Sequence, residues 1–166
     1  MIRTATRDDA AQIARIYNHY VLHTVVTFEE AAVADADIAA RIAEVAEASL
    51  PWLVDEQHGR IVAYAYASRW KSRCAYRFAA ETTVYVDHDC TGRRHGSGLY
   101  GALLEELTAR GQHAAIGGIA LPNAASVALH ERLGFARVAH FREVGFKFNQ
   151  WIDVGYWQRL LARRDR

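Results

Sequence analysis

Apolar positions along this chain recur with two alternating periods. After a strand-like start, "IRTA", the stretch "RDDAAQIARIYNHYVLH" places Ala11, Ile13, Ile16, Tyr17 and Tyr20 on roughly one helical face, with acids near its start where they complement the helix dipole. "VVTFEE" reads as a strand, and "DADIAARIAEVAEA" repeats Ile38, Ile42 and Val45 at helical spacing, with Asp35 or Asp37 available as a cap. "PWLVDEQHGRIVAYAYASRW" predicts two strands around a His-Gly turn. "KSRCAYRFAA" is irregular, and "ETTVYV" is a strand that leads to a helix from Gly96 to about Arg110. "HAAIGGIAL" is a further strand, "NAASVALHERLGF" a helix capped by Asn123 and closed at Gly134, and two aromatic strands complete the pattern. The order is βαβ-like in its middle with antiparallel hairpins on either side, which predicts an α/β fold on a mixed sheet.

Length and charge narrow this picture. The 166 residues fit one domain, 1–166, with a single core. Its 20 basic and 19 acidic residues leave a formal net charge of +1, so no whole-protein field draws in nucleic acid or an anionic membrane, and any anion site is local. Cys74 and Cys90 cannot make a disulfide framework, and the charged start "MIRTATRDDA" does not read as a signal peptide. The expectation is a soluble cytoplasmic protein. No apolar run approaches the roughly 20 residues of a spanning helix, and the basic end "ARRDR" reads as a frayed tail. His19 and His23 stand at i and i+4 but lack a third ligand or an H-E-x-x-H pattern, so no metal site is expected. Cys74 and Cys90 are separated by 15 residues and have no flanking His or Asp in a triad-like arrangement, so a nucleophilic cysteine is not expected.

Residues 84 to 107, "VYVDHDCTGRRHGSGLYGALLEEL", pass from strand to helix through adjacent arginines and spaced glycines. A helix start offers unpaired N–H groups and positive potential, which suit a phosphate. "GSGLYG" matches the dinucleotide pattern G-x-G-x-x-G, but about nine residues separate Val86 from Gly96 and no acid for a ribose follows in "ALPNA". No Gly-Lys-Ser/Thr exists for a P-loop. The better reading is Arg93-x-x-Gly96-x-Gly98, successive amides that wrap a pyrophosphate with Arg93 or Arg94 nearby.

That motif after a Val-Tyr-Val strand, followed by "PNAASVALHERLGF", resembles the acetyl-CoA motifs of the GCN5-related N-acetyltransferases (GNAT). The blocks "PWLV", "YAYASRWKSRCAY", "ETTVYV", "LPNAASVALHERLGF" and "VGFKFNQWIDVGYWQ" narrow the resemblance to the phosphinothricin acetyltransferases, which acetylate the α-amine of glutamate-like amino acids. The resemblance implies the GNAT fold: a mostly antiparallel twisted sheet of about seven strands, helices on both faces and a splayed central parallel pair. It implies acetyl-CoA as co-substrate, no metal, a small amino-acid acceptor and a homodimer. The aromatic residues Phe141, Phe146, Phe148, Trp151, Tyr156 and Trp157 near the C-terminus add to the last of these, being more than a small sheet edge readily hides. Departures from the family pattern are Ala79-Ala80 before Glu81, and Asn149 and Ile152.

Carried onto this chain, the resemblance places Val84, Tyr85, Val86, Arg93, Arg94, His95, Gly96, Ser97, Gly98, Asn123 and Ser126 at the cofactor. Glu81 is the expected base, because an ammonium has no lone pair and must lose a proton before it attacks a thioester. A backbone amide near Val84 to Val86 would stabilise charge developing on the thioester oxygen. His130 stands where the superfamily often has a tyrosine that protonates the departing thiolate; it is read as acid or as a structural residue. Lys71 and Arg73, alternating in an extended loop, are expected to clamp the acceptor's anionic groups, with Phe28, Tyr76 and Tyr85 shaping the pocket. The acceptors left open are phosphinothricin, methionine sulfoximine or sulfone, an arsenic-containing glutamate analogue (arsinothricin) or another small amine. A non-catalytic acyl-CoA-binding regulatory domain is the alternative of another class.

Overall fold

The computed structural model describes residues 1–161; the basic tail falls outside them. Seven strands form one sheet in the order β1-β2-β3-β4-β5-β7-β6. The strands are β1 (Ile2–Thr4), β2 (Trp52–Gln57), β3 (Arg60–Arg69), β4 (Ala79–Val86), β5 (Ala114–Leu121), β6 (Ala136–Lys147) and β7 (Gln150–Leu160). The helices are α1 (Ala10–His23), α2 (Asp35–Glu47), α3 (His95–Ala109) and α4 (Ala124–Arg132). Every neighbouring pair is antiparallel except β4 and β5, the two strands joined through α3.

Strand alternation sorts the two faces. On β3, Tyr64 and Tyr66 join Trp52 and Tyr85 in an aromatic layer, which reaches α1 through Tyr17 and Tyr20. The intervening Ala63, Ala65 and Ala67 are fully buried, and small side chains there let α3 lie close to the sheet. From β4, Thr82 and Val86 meet α3 through Tyr100 and Gly96, whereas Glu81 and Tyr85 face the other way. Among the described residues no helix is long and apolar enough to cross a membrane.

Two local expectations are corrected. "VVTFEE" forms no strand: residues 24–34 are an irregular segment whose polar groups are taken by side chains. Tyr17 Oη lies 2.7 Å from Thr27 Oγ1, Lys147 Nζ donates to the Thr27 carbonyl, and Asn18 bonds both backbone groups of Val33. The cap of α2 is Ala34 rather than Asp35 or Asp37; Asp37 instead accepts the Ala34 N–H from inside the first turn. Two departures from the family pattern also find a physical place. Phe148 and Asn149 both have positive φ in the tight β6–β7 turn, a conformation Asn tolerates, and Ile152 is buried in the sheet.

Candidate active site

β4 and β5 pair over only three residues, Ala79 with Ala114, Ala80 with Ala115 and Glu81 with Ile116, and then diverge. The divergence opens a slot of about 300 Å3 lined by Thr82 to Val86, Ile119, Asn123, Ser126 and His130. At its outer end runs the loop from Asp87 to His95, which is fastened at both ends. Asp87 is fully buried and receives Arg15 at 2.8 Å and Arg60 at 2.7 Å; although burial pushes its pKa up, these guanidiniums hold it down to about 2. His95 Nδ1 lies 2.7 Å from Asp55 Oδ2 on β2. Between these anchors Arg93 and Arg94 stay exposed, and Arg94 caps α3 in a left-handed conformation (φ 64°).

The glycines of the loop divide in function. A Cβ on Gly98 would meet nothing within 4 Å, so the front of the α3 N-terminus is open for an anion, and its free N–H groups suit a pyrophosphate. A Cβ on Gly96 would instead come within 3.1 Å of Val86 Cγ2. Gly96 therefore lets α3 dock closely on β4. The His95 imidazole is likewise turned inward to Asp55, and Ser97 Oγ donates to the Arg94 carbonyl. A long, narrow arm joined to a pyrophosphate suits this slot and loop.

A second cavity, of about 740 Å3, lies on the α1 face of the sheet. Glu81 and Lys71 line it together with Phe28, Trp70, Phe141 and Tyr156; Val26, Gly118 and Ala120 line both cavities, so the slot opens into this chamber. Burial raises the Glu81 pKa, partly countered by the nearby Lys71 ammonium. Tyr156 is raised by burial and by the charge of Glu81. Lys71 is the single cation among the lining residues.

Gly117 and Gly118 make this geometry possible. A Cβ on Gly117 would run into the His130 ring, and one on Gly118 would lie 3.2 Å from Tyr156 and 3.5 Å from Glu81 Oε1. Glu81 and His130 thus stand on opposite faces of β5. His130 is buried, and both its nitrogens are engaged: Nδ1 lies 2.8 Å from the Ser126 carbonyl and Nε2 3.0 Å from Tyr100 Oη. Since a carbonyl only accepts, Nδ1 carries the proton and Nε2 accepts from Tyr100, whose hydroxyl lies 2.7 Å from Thr82 Oγ1. Burial lowers the His130 pKa, opposed by the Ser126 carbonyl. The neutral ring has no free N–H to offer.

The extended alternation expected at Lys71 and Arg73 is absent. A bend at Ser72 and Arg73, followed by a 3-10 turn at Cys74–Tyr76, breaks the extended alternation, so Lys71 lines the chamber while Arg73 does not. Tyr76 lines a separate groove with Phe78 and Leu160. Tyr85 borders the slot, but its ring sits among Tyr17, Tyr20 and Tyr64 and is not part of the chamber lining. Sequence reasoning missed Tyr156, Trp70, Tyr100, Thr82 and Gly117-Gly118. The doubled glycine inside a strand was the one available signal, since glycine there marks a close approach.

A slot opening between parallel strands, beneath a helix N-terminus and beside a chamber with a half-buried carboxylate, defines an acyl-CoA-dependent transferase. The acetyltransferase (GNAT) domain family matches residues 2–155. The chain is 39% identical over 158 residues to the phosphinothricin N-acetyltransferase of Streptomyces viridochromogenes, covering 95% of this chain and 86% of the relative. It is 37% identical to the L-methionine sulfoximine/L-methionine sulfone acetyltransferase of Salmonella typhimurium, covering 96% and 94%. The solved phosphinothricin acetyltransferase of Sinorhizobium meliloti in complex with acetyl-CoA superposes with a TM-score of 0.94 at 33% identity, covering 98% of this chain and 88% of that one. The chain belongs to the phosphinothricin N-acetyltransferase family of the GNAT superfamily. It is an acetyl-CoA-dependent N-acetyltransferase.

Proposed function

We propose that the chain acetylates the α-amine of a small amino acid with a compact polar head, of the methionine sulfoximine, methionine sulfone and phosphinothricin class, as a detoxification activity. The observation that carries this reading is the opening of the slot into the chamber at Gly118, with Glu81 and Lys71 lining the chamber together. Acetyl-CoA supplies an activated thioester; as its C–S bond breaks, CoA leaves as the thiolate and takes up the proton that the attacking nitrogen sheds on becoming the amide. Glu81 takes the proton of the acceptor's ammonium, and its raised pKa suits that exchange. Lys71 faces the acceptor's carboxylate, and the aromatic walls exclude water. An amide from Val84 to Val86, on the strand freed from β5, serves the developing charge on the thioester oxygen.

His130, neutral and doubly bonded, is assigned to holding Tyr100 and the slot wall; an acid role would first require it to gain a proton at Nε2. Arg93, Arg94 and the N–H groups of His95 to Ser97 hold the pyrophosphate, the Gly98 N–H being given to the Arg94 carbonyl, with Asn123 and Ser126 beside the pantetheine arm. One cation in a single chain's chamber suits acceptors with one anionic group, which favours methionine sulfone and sulfoximine over phosphinothricin and glutamate, each of which carries two.

The same reading makes the protein a cytoplasmic homodimer. Exposed Val138, Phe141, Val144, Phe146, Phe148 and Trp151 lie on the β6–β7 hairpin and form an apolar surface suited to a second copy. Free-thiol release over a panel of methionine sulfone, methionine sulfoximine, phosphinothricin, glutamate and spermidine tests the acceptor. A higher kcat/KM for spermidine than for every amino acid overturns it. A monomeric mass by light scattering at micromolar concentration removes the dimer.

A further inference from the structure

Lys147, the last residue of β6, carries its ammonium into the interior and is 1% exposed. Its Nζ donates to the carbonyl of Val21 in the last turns of α1 at 2.7 Å and to the carbonyl of Thr27 at 2.8 Å. Among the described residues it makes no ion pair with a carboxylate. A buried ammonium held by two carbonyls and the face of the Phe148 ring, with no carboxylate partner, is costly, so its retention calls for a task that an apolar residue could not perform.

The geometry supplies that task. β6 lies beyond β5 and β7, on the far side of the splay, whereas α1 packs on β3 and β4. Lys147 therefore ties the two halves of the molecule together across the open side of the sheet. The bonded carbonyl of Thr27 belongs to the irregular segment 24–34, whose Val26, Thr27 and Phe28 line the chamber. Two residues before Lys147, Gly145 is buried under the Phe28 ring, and a Cβ there would strike that ring. Gly145 and Lys147, on the same face of β6, make one seat: the glycine receives the ring and the ammonium holds the backbone just ahead of it.

We propose that Lys147 is a positioning residue for the acceptor, fixing segment 24–34 so that Thr27 and Phe28 wall the chamber without itself touching the acceptor. This rests on the chamber being the acceptor site. The segment has few other fastenings near Phe28, chiefly the Tyr17–Thr27 bond and the Arg41–Glu29 pair, so loss of the tie loosens that wall selectively.

The test is Lys147→Met, which keeps the stem and removes the donors. The acceptor KM should rise on the order of ten-fold or more while the acetyl-CoA KM stays within about two-fold, since small displacements of a positioning wall are expensive in rate and affinity. Amide hydrogen exchange should accelerate in residues 24–34 and not in Thr82 to Val86. Lys147→Arg, which keeps charge and donors, should recover part of the acceptor affinity. In a Phe28→Ala background Lys147→Met should add little further to the acceptor KM; fully additive effects, unchanged exchange in 24–34, or equal losses for acceptor and acetyl-CoA overturn the assignment. If Lys147→Met does not fold, Gly145→Ala displaces the Phe28 ring from the other side of the seat and should reproduce the acceptor signature, an unchanged KM counting against it. Faster exchange in a protein that acetylates no amino acid would sink the functional reading and leave the tie standing.

Discussion

The slot and the chamber meet at Gly118, yet they are built from different materials. The slot is bounded mainly by the consecutive run Thr82 to Val86 and by one face of α4 from Asn123 to His130, and its character comes from a strand freed from its neighbour and a helix start left open. The chamber, more than twice as large, is walled by side chains from five places: the segment after α1, Trp70 and Lys71, β4, β5 and the β6–β7 hairpin. A cofactor common to many enzymes is met by main-chain geometry that tolerates side-chain drift. An acceptor peculiar to one enzyme is met by side chains that can be exchanged one at a time.

The comparison breaks first if the chamber's carboxylate is dispensable. Glu81→Gln should lower kcat by about 10² to 10⁴ while acetyl-CoA affinity, measured by calorimetry, stays nearly constant. A folded-state pKa raised above the unfolded one means that this group's contribution to stability is greatest below the unfolded carboxylate range and is lost as pH rises through the folded pKa. The ionised carboxylate therefore costs stability at pH 7, and Glu81→Gln should melt no lower than the parent there. In the parent, kcat/KM should fall as pH drops through a value above the ordinary carboxylate range, and that limb should vanish in Glu81→Gln.

Next in size is Lys71→Ala, expected to raise the acceptor KM on the order of ten-fold or more with acetyl-CoA kinetics unchanged. Arg73→Ala sharpens the contrast. Within one chain Arg73 is outside the chamber, so steady-state kinetics should register a smaller change than for Lys71.

The two faces of β5 offer a paired test. Gly117→Ala drives a methyl into His130 and should cost about 1–3 kcal/mol of stability by denaturant unfolding, as overpacking does. Gly118→Ala meets Tyr156 and Glu81 more gently and should appear in acceptor kinetics before it appears in stability. The smallest effect belongs to Gly98→Ala: no loss of stability and a few-fold weaker acetyl-CoA binding at most, whereas Gly96→Ala should first disturb the packing of α3 on Val86. Equal outcomes for the two glycines would remove the division drawn between them.

This contrast also explains what could be read from the residues alone. The β4-loop-α3 junction and the Asn123 cap were legible because strand period, glycine spacing and a helix start lie within one stretch of chain. The Asn123 side chain indeed accepts the Ser126 N–H at 3.1 Å. The partners of that junction were not: nothing local tells that His95 is spent on Asp55, 40 residues away, or that His130 is sealed by Tyr100. "VVTFEE" has the composition of a strand, but its polar groups are taken by tertiary partners, Tyr17 and Lys147 at Thr27 and Arg41 at Glu29, which a local pattern does not reveal. The extended geometry expected at Lys71 and Arg73 is absent for a similar reason, because alternation holds only while the backbone stays extended and Ser72 and Arg73 bend.

The three-residue contact between β4 and β5 has a thermodynamic consequence. Beyond Glu81 the sheet is an unfinished ladder, and a ligand lying in the gap takes the place of the missing strand pairing. Occupancy and folding are then linked quantities: a ligand present at 100 times its Kd adds about 2.7 kcal/mol to the apparent stability, and the melting temperature becomes a titration of the cofactor. The enzyme's measured robustness would then reflect the acetyl-CoA pool around it as well as its own core.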